Sequence, residues 1–193
     1  TAVGSLSTTR FGHAATLLPD GRVVVAGGTS RADVEIYDAR TRTFATSGRL
    51  LEAREDLQGT LLASGQVLFV GGSDPQGRSL ASSEVYDPAT GASRATRGAM
   101  AAGREDHTAT TLADGRVLVC GGEDNEAAPG GGDVVLSSAE LYDPATDSFS
   151  SAGSFTVPRD DHAAVRLADG RVLLLGGEDS EGRGMPTAEL FRP

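Results

Sequence analysis

Pairs of adjacent carboxylates are the residues in this sequence best suited to do chemistry. Each pair directly follows an arginine, and the pairs are Glu55-Asp56, Glu105-Asp106 and Asp160-Asp161. Two neighbouring carboxyl groups can serve as general acid and base, or can bind a hard cation through their oxygens. Since no Asp-x-Asp-x-Asp-Gly loop accompanies them, the sequence favours solvated carboxylates over a calcium site. We therefore expect no metal and no cofactor.

Three histidines and one cysteine are the other candidates for metal binding or catalysis. His13, His107 and His162 occupy the same position of a repeated frame, and Leu57 occupies it in the remaining copy. A position that also accepts leucine is typical of packing rather than of metal ligation. Cys120 stands alone within an apolar run, which predicts a small buried side chain.

The frame that carries these residues occurs four times, beginning at Arg10, Arg54, Arg104 and Arg159. In each copy an apolar run, an Asp-Gly or Ser-Gly pair and a second apolar run lead to a Gly-Gly pair that begins 17 residues after the arginine. Asp-Gly between two such runs predicts a hairpin, because glycine supplies the positive φ of a tight turn. The second runs are continuously apolar, as in strands covered on both faces. With two further strands, each copy predicts an antiparallel unit of strands a, b, c and d.

The recurring elements resemble the kelch repeat over essentially the whole chain. They are the Gly-Gly that closes strand b, the Glu-x-Tyr-Asp-Pro-x-Thr of strand c and the Arg-x-x-His that opens strand a. The resemblance implies an all-β fold, a kelch-type β-propeller of four-stranded antiparallel blades with strand a innermost. It also implies a ring of usually about six or seven blades, whereas this chain holds four. The tryptophan common on strand d is replaced by Phe44, Ser93 and Phe149, which suggests lighter outer packing.

The frame predicts a single propeller unit over residues 1–193. Its blades span about residues 10–49, 54–99, 104–155 and 159–193, and residues 1–6 align with a strand d that can close the last sheet. Such closure removes exposed strand edges. Because four blades are few for a ring, two chains joined through these ends as a homodimer would give a ring of eight blades. A ring closed within one chain and a fragment of a larger propeller are the alternatives.

Negative charge is concentrated at one end of the predicted propeller. The net charge is −10, and all 17 basic residues are arginine. The b-to-c loops carry nearly all the length variation, and in an antiparallel blade they share an end with the paired carboxylates. This loop end holds 16 carboxylates and eight arginines, whereas the opposite turn end is nearly neutral. The pattern argues against nucleic-acid binding and favours a cationic partner.

Two groups of charged residues are therefore candidates, one for structural ion pairs and one for ligand binding. The once-per-blade arginines and the strand c glutamates predict structural ion pairs: Arg10, Arg54, Arg104 and Arg159 with Glu35, Glu84, Glu140 and Glu189. A ligand-binding ring is the alternative, but identical copies suit packing better than recognition of one asymmetric ligand. The candidate binding residues surround the loop from Glu123 to Asp133, and they are Asp74, Arg78, Glu105, Asp106, Glu123, Asp124, Glu126, Asp160, Asp161, Glu178 and Asp179.

These features favour a non-enzymatic interaction scaffold that binds a basic protein segment or another cationic ligand on its acidic loop end. One alternative, drawn from the resemblance, is a small-molecule enzyme of the sugar-modifying type with its pocket at the mouth of the central channel. Another is a structural or engineered half-propeller. No window is long and apolar enough to span a membrane, so we expect a soluble protein, and the sequence does not indicate its compartment.

Overall fold

The computed structural model describes residues 1–126 and 132–193, and its regular elements there are all strands. Within these ranges no helix is present that could cross a membrane. Three sheets have four antiparallel strands, and a fourth has three. The predicted all-β architecture of four blades is therefore confirmed.

The strands follow the repeats in chain order. The first blade comprises β1 (His13–Leu17), β2 (Val23–Gly27), β3 (Asp33–Asp38) and β4 (Thr43–Arg49). The second comprises β5 (Gln58–Leu61), β6 (Val67–Val70), β7 (Ser83–Asp87) and β8 (Ala92–Ala95). The third begins with β9 (Thr108–Thr111) and β10 (Val117–Cys120), continues through a small separate hairpin of β11 (Glu123–Asp124) and β12 (Val134–Val135), and ends with β13 (Ser138–Asp143) and β14 (Ser148–Ser154). The fourth comprises β15 (Ala163–Arg166), β16 (Val172–Leu175) and β17 (Ala188–Phe191).

The tight a-to-b turns follow from the Asp-Gly pairs. In the third blade Gly115 has a φ of 89°, and the Leu112 N–H donates to the Arg116 carbonyl at 2.8 Å. The Asp114 carboxylate accepts a hydrogen bond from the Arg116 N–H at 3.1 Å. Glycine and aspartate thus have separate tasks here, one providing the backbone conformation and the other satisfying a main-chain donor.

The Gly-Gly pairs form the junctions between blades. The N–H groups of Gly28, Gly72 and Gly122 donate to the carbonyls of Arg54, Arg104 and Arg159 in the next blade, at 2.8 to 2.9 Å. Gly72 has a φ of 84°, and a Cβ atom there would overlap the Glu55 carbonyl. Glycine is needed because two backbones approach closely in a left-handed conformation.

The hydrophobic core lies between neighbouring blades. Three clusters of buried side chains join successive blades, through Val24 and Phe69, through Leu68 and Val119, and through Leu118 and Leu174. Among the described residues, none of these clusters joins the fourth blade to the first. The four blades therefore form an arc with one uncovered blade face at each end.

The N-terminal segment does not complete the fourth blade within this chain. In the described residues β17 pairs only with β16. The Gly4 N–H instead donates to the Arg42 carbonyl of the first blade at 2.8 Å. Gly98, at the equivalent position of the repeat, likewise donates its N–H to the Asp147 carbonyl of the third blade at 3.3 Å. Residues 1–6 therefore lie against the first blade in the same way as the chain that follows strand d of the second blade lies against the third.

Candidate functional site

One repeat position directs carboxylates toward a common region of the loop end. Asp56, Asp106 and Asp161 precede the inner strands of their blades, with φ values of 52°, 50° and 45°. Aspartate tolerates this left-handed region better than most residues, and the first blade has Gly12 at the same position with a φ of 62°. The repeated conformation gives the three aspartates equivalent positions in successive blades.

Main-chain hydrogen bonds bring these positions together. The Asp56 N–H donates to the Gly12 carbonyl at 2.7 Å, and the Asp161 N–H donates to the Asp106 carbonyl at 3.0 Å. The charge of Asp161 raises the pKa of both Asp56 and Asp106, in each case after the larger effect of burial. Carboxylates from three blades therefore repel one another at the loop end.

The crowding is strongest at two carboxyl groups. Burial, followed by the charges of Asp56, Asp161, Glu105 and Glu123, raises the pKa of Asp106 to about 7. Burial, followed by the charges of Asp133, Asp160, Glu105 and Asp161, raises the pKa of Glu123 to about 7. The pKa of Asp160 is also raised, by burial and then by Asp161. Near neutral pH this cluster carries excess negative charge that a bound cation would stabilise.

Glu105, although in the same cluster, is committed to a structural network. Its Oε1 accepts hydrogen bonds from the Ser79 hydroxyl at 3.1 Å and from the Asn125 side-chain amide at 2.8 Å. The Asn125 Oδ1 in turn accepts a bond from the Ser79 N–H at 2.9 Å. These bonds tie the b-to-c loops of the second and third blades together, so the Glu105 carboxylate is less available to a ligand than the aspartates.

Several predicted binding residues shape the loops instead of projecting free charge. The Asp74 carboxylate accepts hydrogen bonds from the Gln76 and Arg78 N–H groups and pairs with the Arg78 guanidinium at 2.6 Å. The Asp124 carboxylate similarly accepts a hydrogen bond from the Glu126 N–H at 3.1 Å. Side chains that accept nearby N–H groups in this way stabilise turns.

The remaining predicted binding residues differ in their contacts. The main chains of Asp160 and Glu178 are hydrogen-bonded to each other, and the Glu178 side chain is exposed. Glu126 is exposed beside residues 127–131 of the predicted Glu123-to-Asp133 loop, which lie outside the described residues.

The four arginines that open the repeats form buried ion pairs with the strand c glutamates. Their N–O distances are 2.9 Å for Arg10–Glu35, 3.0 Å for Arg54–Glu84, 3.0 Å for Arg104–Glu140 and 3.1 Å for Arg159–Glu189. The Arg104 guanidinium also donates to the Gly121 carbonyl at 2.7 Å, and Glu140 accepts the Ala101 N–H. These arginine side chains are fully buried and their charges are balanced by the strand c glutamates, so they do not neutralise the aspartate cluster.

Two of the three histidines, His107 and His162, lie at blade junctions. His107 is buried, and burial lowers its pKa to about 3, with the Arg104 charge adding to the effect. His162 Nε2 lies 2.9 Å from the Thr108 hydroxyl, and burial lowers the pKa of His162 to about 4. His13 is exposed on the first blade. In the described part of the chain no cluster of three or more such side chains could hold a metal ion.

Two cavities lie at opposite ends of the propeller. The larger, of about 550 Å³, lies at the turn end between Ala113 and residues 166–170, away from the carboxylate cluster. A groove of about 360 Å³ lies at the loop end, and its lining residues are Asp133, Val134, Val135, Val157, Pro158, Asp179 and Ser180. The second cavity adjoins the acidic residues and is the more relevant to binding of a cation.

Its four apolar lining residues were not among the sequence candidates. Val157 and Pro158 stand where the earlier connections have Glu52-Ala53 and Ala102-Gly103. Alignment of the four copies reveals this departure from the repeat and could have indicated the groove. A selection of candidates by charge does not include these apolar residues.

Comparison with known proteins gives one family-model match and a similar solved structure. A family model described as the Kelch motif matches residues 107–156. No curated protein matches the chain. A solved structure entitled "Structure of YjhT" superposes with a TM-score of 0.77 at 15% sequence identity, over 97% of this chain. The chain spans 66% of the length of that protein, and at this identity the likeness concerns the fold alone.

The motif match over residues 107–156 and the four-blade arrangement together support a kelch-repeat β-propeller.

Proposed function

We propose that this propeller is a non-enzymatic scaffold whose loop end binds a basic protein or peptide segment. The observation that carries the proposal is the crowding of Asp56, Asp106, Asp161 and Glu123, with the pKa of Asp106 and of Glu123 raised to about 7. A lysine or arginine placed among these groups would relieve their mutual repulsion. Negative potential at such a surface also accelerates association with a cationic partner.

The test uses a fluorescein-labelled peptide of sequence Arg-Gly-Arg-Gly-Arg, followed by fluorescence anisotropy at low and high salt. Replacing Asp56, Asp106 and Asp161 by asparagine keeps a residue that tolerates their left-handed φ. We expect binding to weaken at least about tenfold and to lose most of its salt dependence. The matched control replaces Asp20, Asp114 and Asp169 at the turn end by asparagine, and its affinity should equal that of the wild type. Equal affinity of all three proteins would reject the proposal.

A second candidate function is favoured by one observation. Carboxyl groups with pKa values near neutral pH are suited to general acid–base catalysis, and Asp106 and Glu123 have them. An enzyme of the sugar-modifying type would use them at the channel mouth. Its hydrolysis rate on a panel of aryl glycosides should follow a pH profile that the Asp106→Asn substitution abolishes.

We also propose that two chains assemble through the uncovered blade faces. The face of the fourth blade that points away from the third exposes Val165, Leu175 and Leu190 by 49%, 41% and 40%. The third-blade counterparts of Leu175 and Leu190 are Cys120 and Leu141, and both are buried against the following blade. The first blade of a second copy, with its residues 1–6 beside β17, would cover this face.

Light scattering tests this assembly. A homodimer should have twice the 19.7 kDa mass of the chain. The substitution Leu175→Glu should give the single-chain mass. A wild-type protein that stays at the single-chain mass at high concentration would contradict a homodimer and leave further blades of a longer polypeptide as the cover.

A further inference from the structure

The groove between the third and fourth blades combines an apolar floor with acidic ends. Its volume of about 360 Å³ is at the small end of the range for binding pockets, which is about 300 to 1,000 Å³. Val134 and Val135 belong to the β11–β12 hairpin, and Val157 and Pro158 belong to the connection into the fourth blade. Asp133 and Asp179 contribute the carboxylates. The size suits one or two side chains of a longer partner.

This groove also lies where the copies of the repeat differ from one another. The β11–β12 hairpin is the only two-stranded sheet within the described residues. The connection into the fourth blade places Val157-Pro158 where the second blade is entered through Glu52-Ala53 and the third through Ala102-Gly103. The Arg–Glu pairs, which serve blade packing, are the same in all four copies. Packing common to all blades therefore does not account for these apolar residues.

The electrostatics of the groove select the charge of the occupant. No arginine lines it, and Asp133 is exposed and makes no ion pair within the described residues. The charge of Asp133 contributes to the raised pKa of Glu123. Asp179 accepts the Glu181 and Arg183 N–H groups, but the Arg183 guanidinium pairs with Glu181. In the second blade, by contrast, the Asp74 carboxylate is paired with Arg78.

We propose that this groove anchors the bound segment by taking an aliphatic side chain that stands next to an arginine or lysine. The inference rests on the proposed function and narrows the partner to a basic segment with interspersed aliphatic residues. The aliphatic group packs on Val134, Val135, Val157 and Pro158, while the neighbouring cation lies against Asp133. The aspartate cluster on the same end of the propeller supplies the wider negative field.

Two labelled peptides test the anchor in parallel, Arg-Val-Arg-Leu-Arg and the control Arg-Gly-Arg-Gly-Arg. The wild-type protein should bind the first peptide about tenfold more tightly, since only this peptide has aliphatic groups to bury. The substitution Val157→Ser should weaken binding of the first peptide about tenfold and change binding of the second by no more than about twofold. Ala102→Ser, at the equivalent place one blade earlier, is the matched control and should change neither.

The outcomes separate the anchor from the proposed function. Equal binding of both peptides, unaffected by Val157→Ser but weakened by the triple aspartate substitution, would overturn the anchor and leave the acidic scaffold intact. If neither peptide binds, both the anchor and the proposed function are overturned. Thermal unfolding of each variant verifies folding, and Asp133→Asn gives a second test, because it should weaken both peptides without altering the apolar floor.

Discussion

Aspartates at the two ends of the propeller have opposite electrostatic surroundings. At the turn end Asp20, Asp114 and Asp169 each pair with the arginine two residues later, at 2.7 to 2.8 Å. Hydrogen bonds from those arginines hold the pKa of all three below the ordinary value. At the loop end Asp56 and Asp106 have a raised pKa, because burial and neighbouring carboxylates act on them.

The contrast shows that residue type alone does not mark a binding surface. Each turn-end aspartate has a main-chain donor and a cation within its own turn, so its charge is locally satisfied. The arginines that directly precede the loop-end carboxylate pairs are instead buried against Glu84, Glu140 and Glu189, which leaves the aspartates of the cluster without a cation. A surface with unbalanced charge results where the fold uses its arginines for packing.

The largest effect on stability should come from removing one of the buried arginines that pair with the strand c glutamates. Arg104→Ala would leave the Glu140 carboxylate buried without its cation, and loss of one partner of a buried pair costs about 3 to 5 kcal/mol of unfolding free energy. Guanidinium denaturation should report this loss. Arg116→Ala at the exposed turn end is the control and should shift the midpoint little. An unchanged midpoint for Arg104→Ala would contradict the structural role of these pairs.

A smaller effect should come from His107 at acid pH. Its pKa in the folded protein, about 3, lies below the ordinary 6.5, so the stability that neutral His107 contributes is present above pH 6.5. It is lost as the pH falls toward about 3. His107→Leu introduces the residue that Leu57 provides in the second blade. The difference in unfolding free energy between the variant and the wild type should favour the variant by about 2 kcal/mol more at pH 4 than at pH 7. Denaturant titration at the two pH values measures this difference. Parallel pH curves would show that His107 is not kept neutral by the fold.

The smallest effect tests the acidic cluster itself. The folded-state pKa of Asp106, about 7, lies above the ordinary 3.8, so the wild type loses stability as the pH rises from about 4 to about 7. Asp106→Asn removes this loss. After allowance for solvent screening we expect a gain of about 1 kcal/mol at pH 8 and none at pH 3. Asp114→Asn should show the reverse sign at neutral pH, because the pKa of Asp114 is lowered. Equal gains at both pH values would contradict the repulsion among the loop-end carboxylates.

The fold was predictable because its signals recur in every copy. The Asp-Gly turns, the continuously apolar second strands and the Gly-Gly pairs each depend on local backbone geometry or on one repeated contact. The same alignment placed Arg104 and Glu140 in one blade. These signals need only the spacing between residues, which the sequence supplies directly.

The candidate site was less predictable because it depends on distances between blades. Charge counting placed Asp74, Glu105 and Asp106 together, yet Asp74 is paired with Arg78 and Glu105 is bonded to Ser79 and Asn125, whereas Asp106 has like charges around it. Only the three-dimensional arrangement of the blades separates these cases. The groove at Val157 is formed by residues from three segments, and no single stretch of sequence displays it.

The Gly-Gly junctions have a consequence for how such a chain changes over generations. Gly28, Gly72 and Gly122 each donate an N–H to the carbonyl of the arginine that opens the following blade, so all three junctions use the same main-chain hydrogen bond. A gene segment that encodes one blade can therefore be duplicated or deleted without creating a new kind of junction. Such a change would alter the number of blades while every remaining junction kept the same main-chain hydrogen bond.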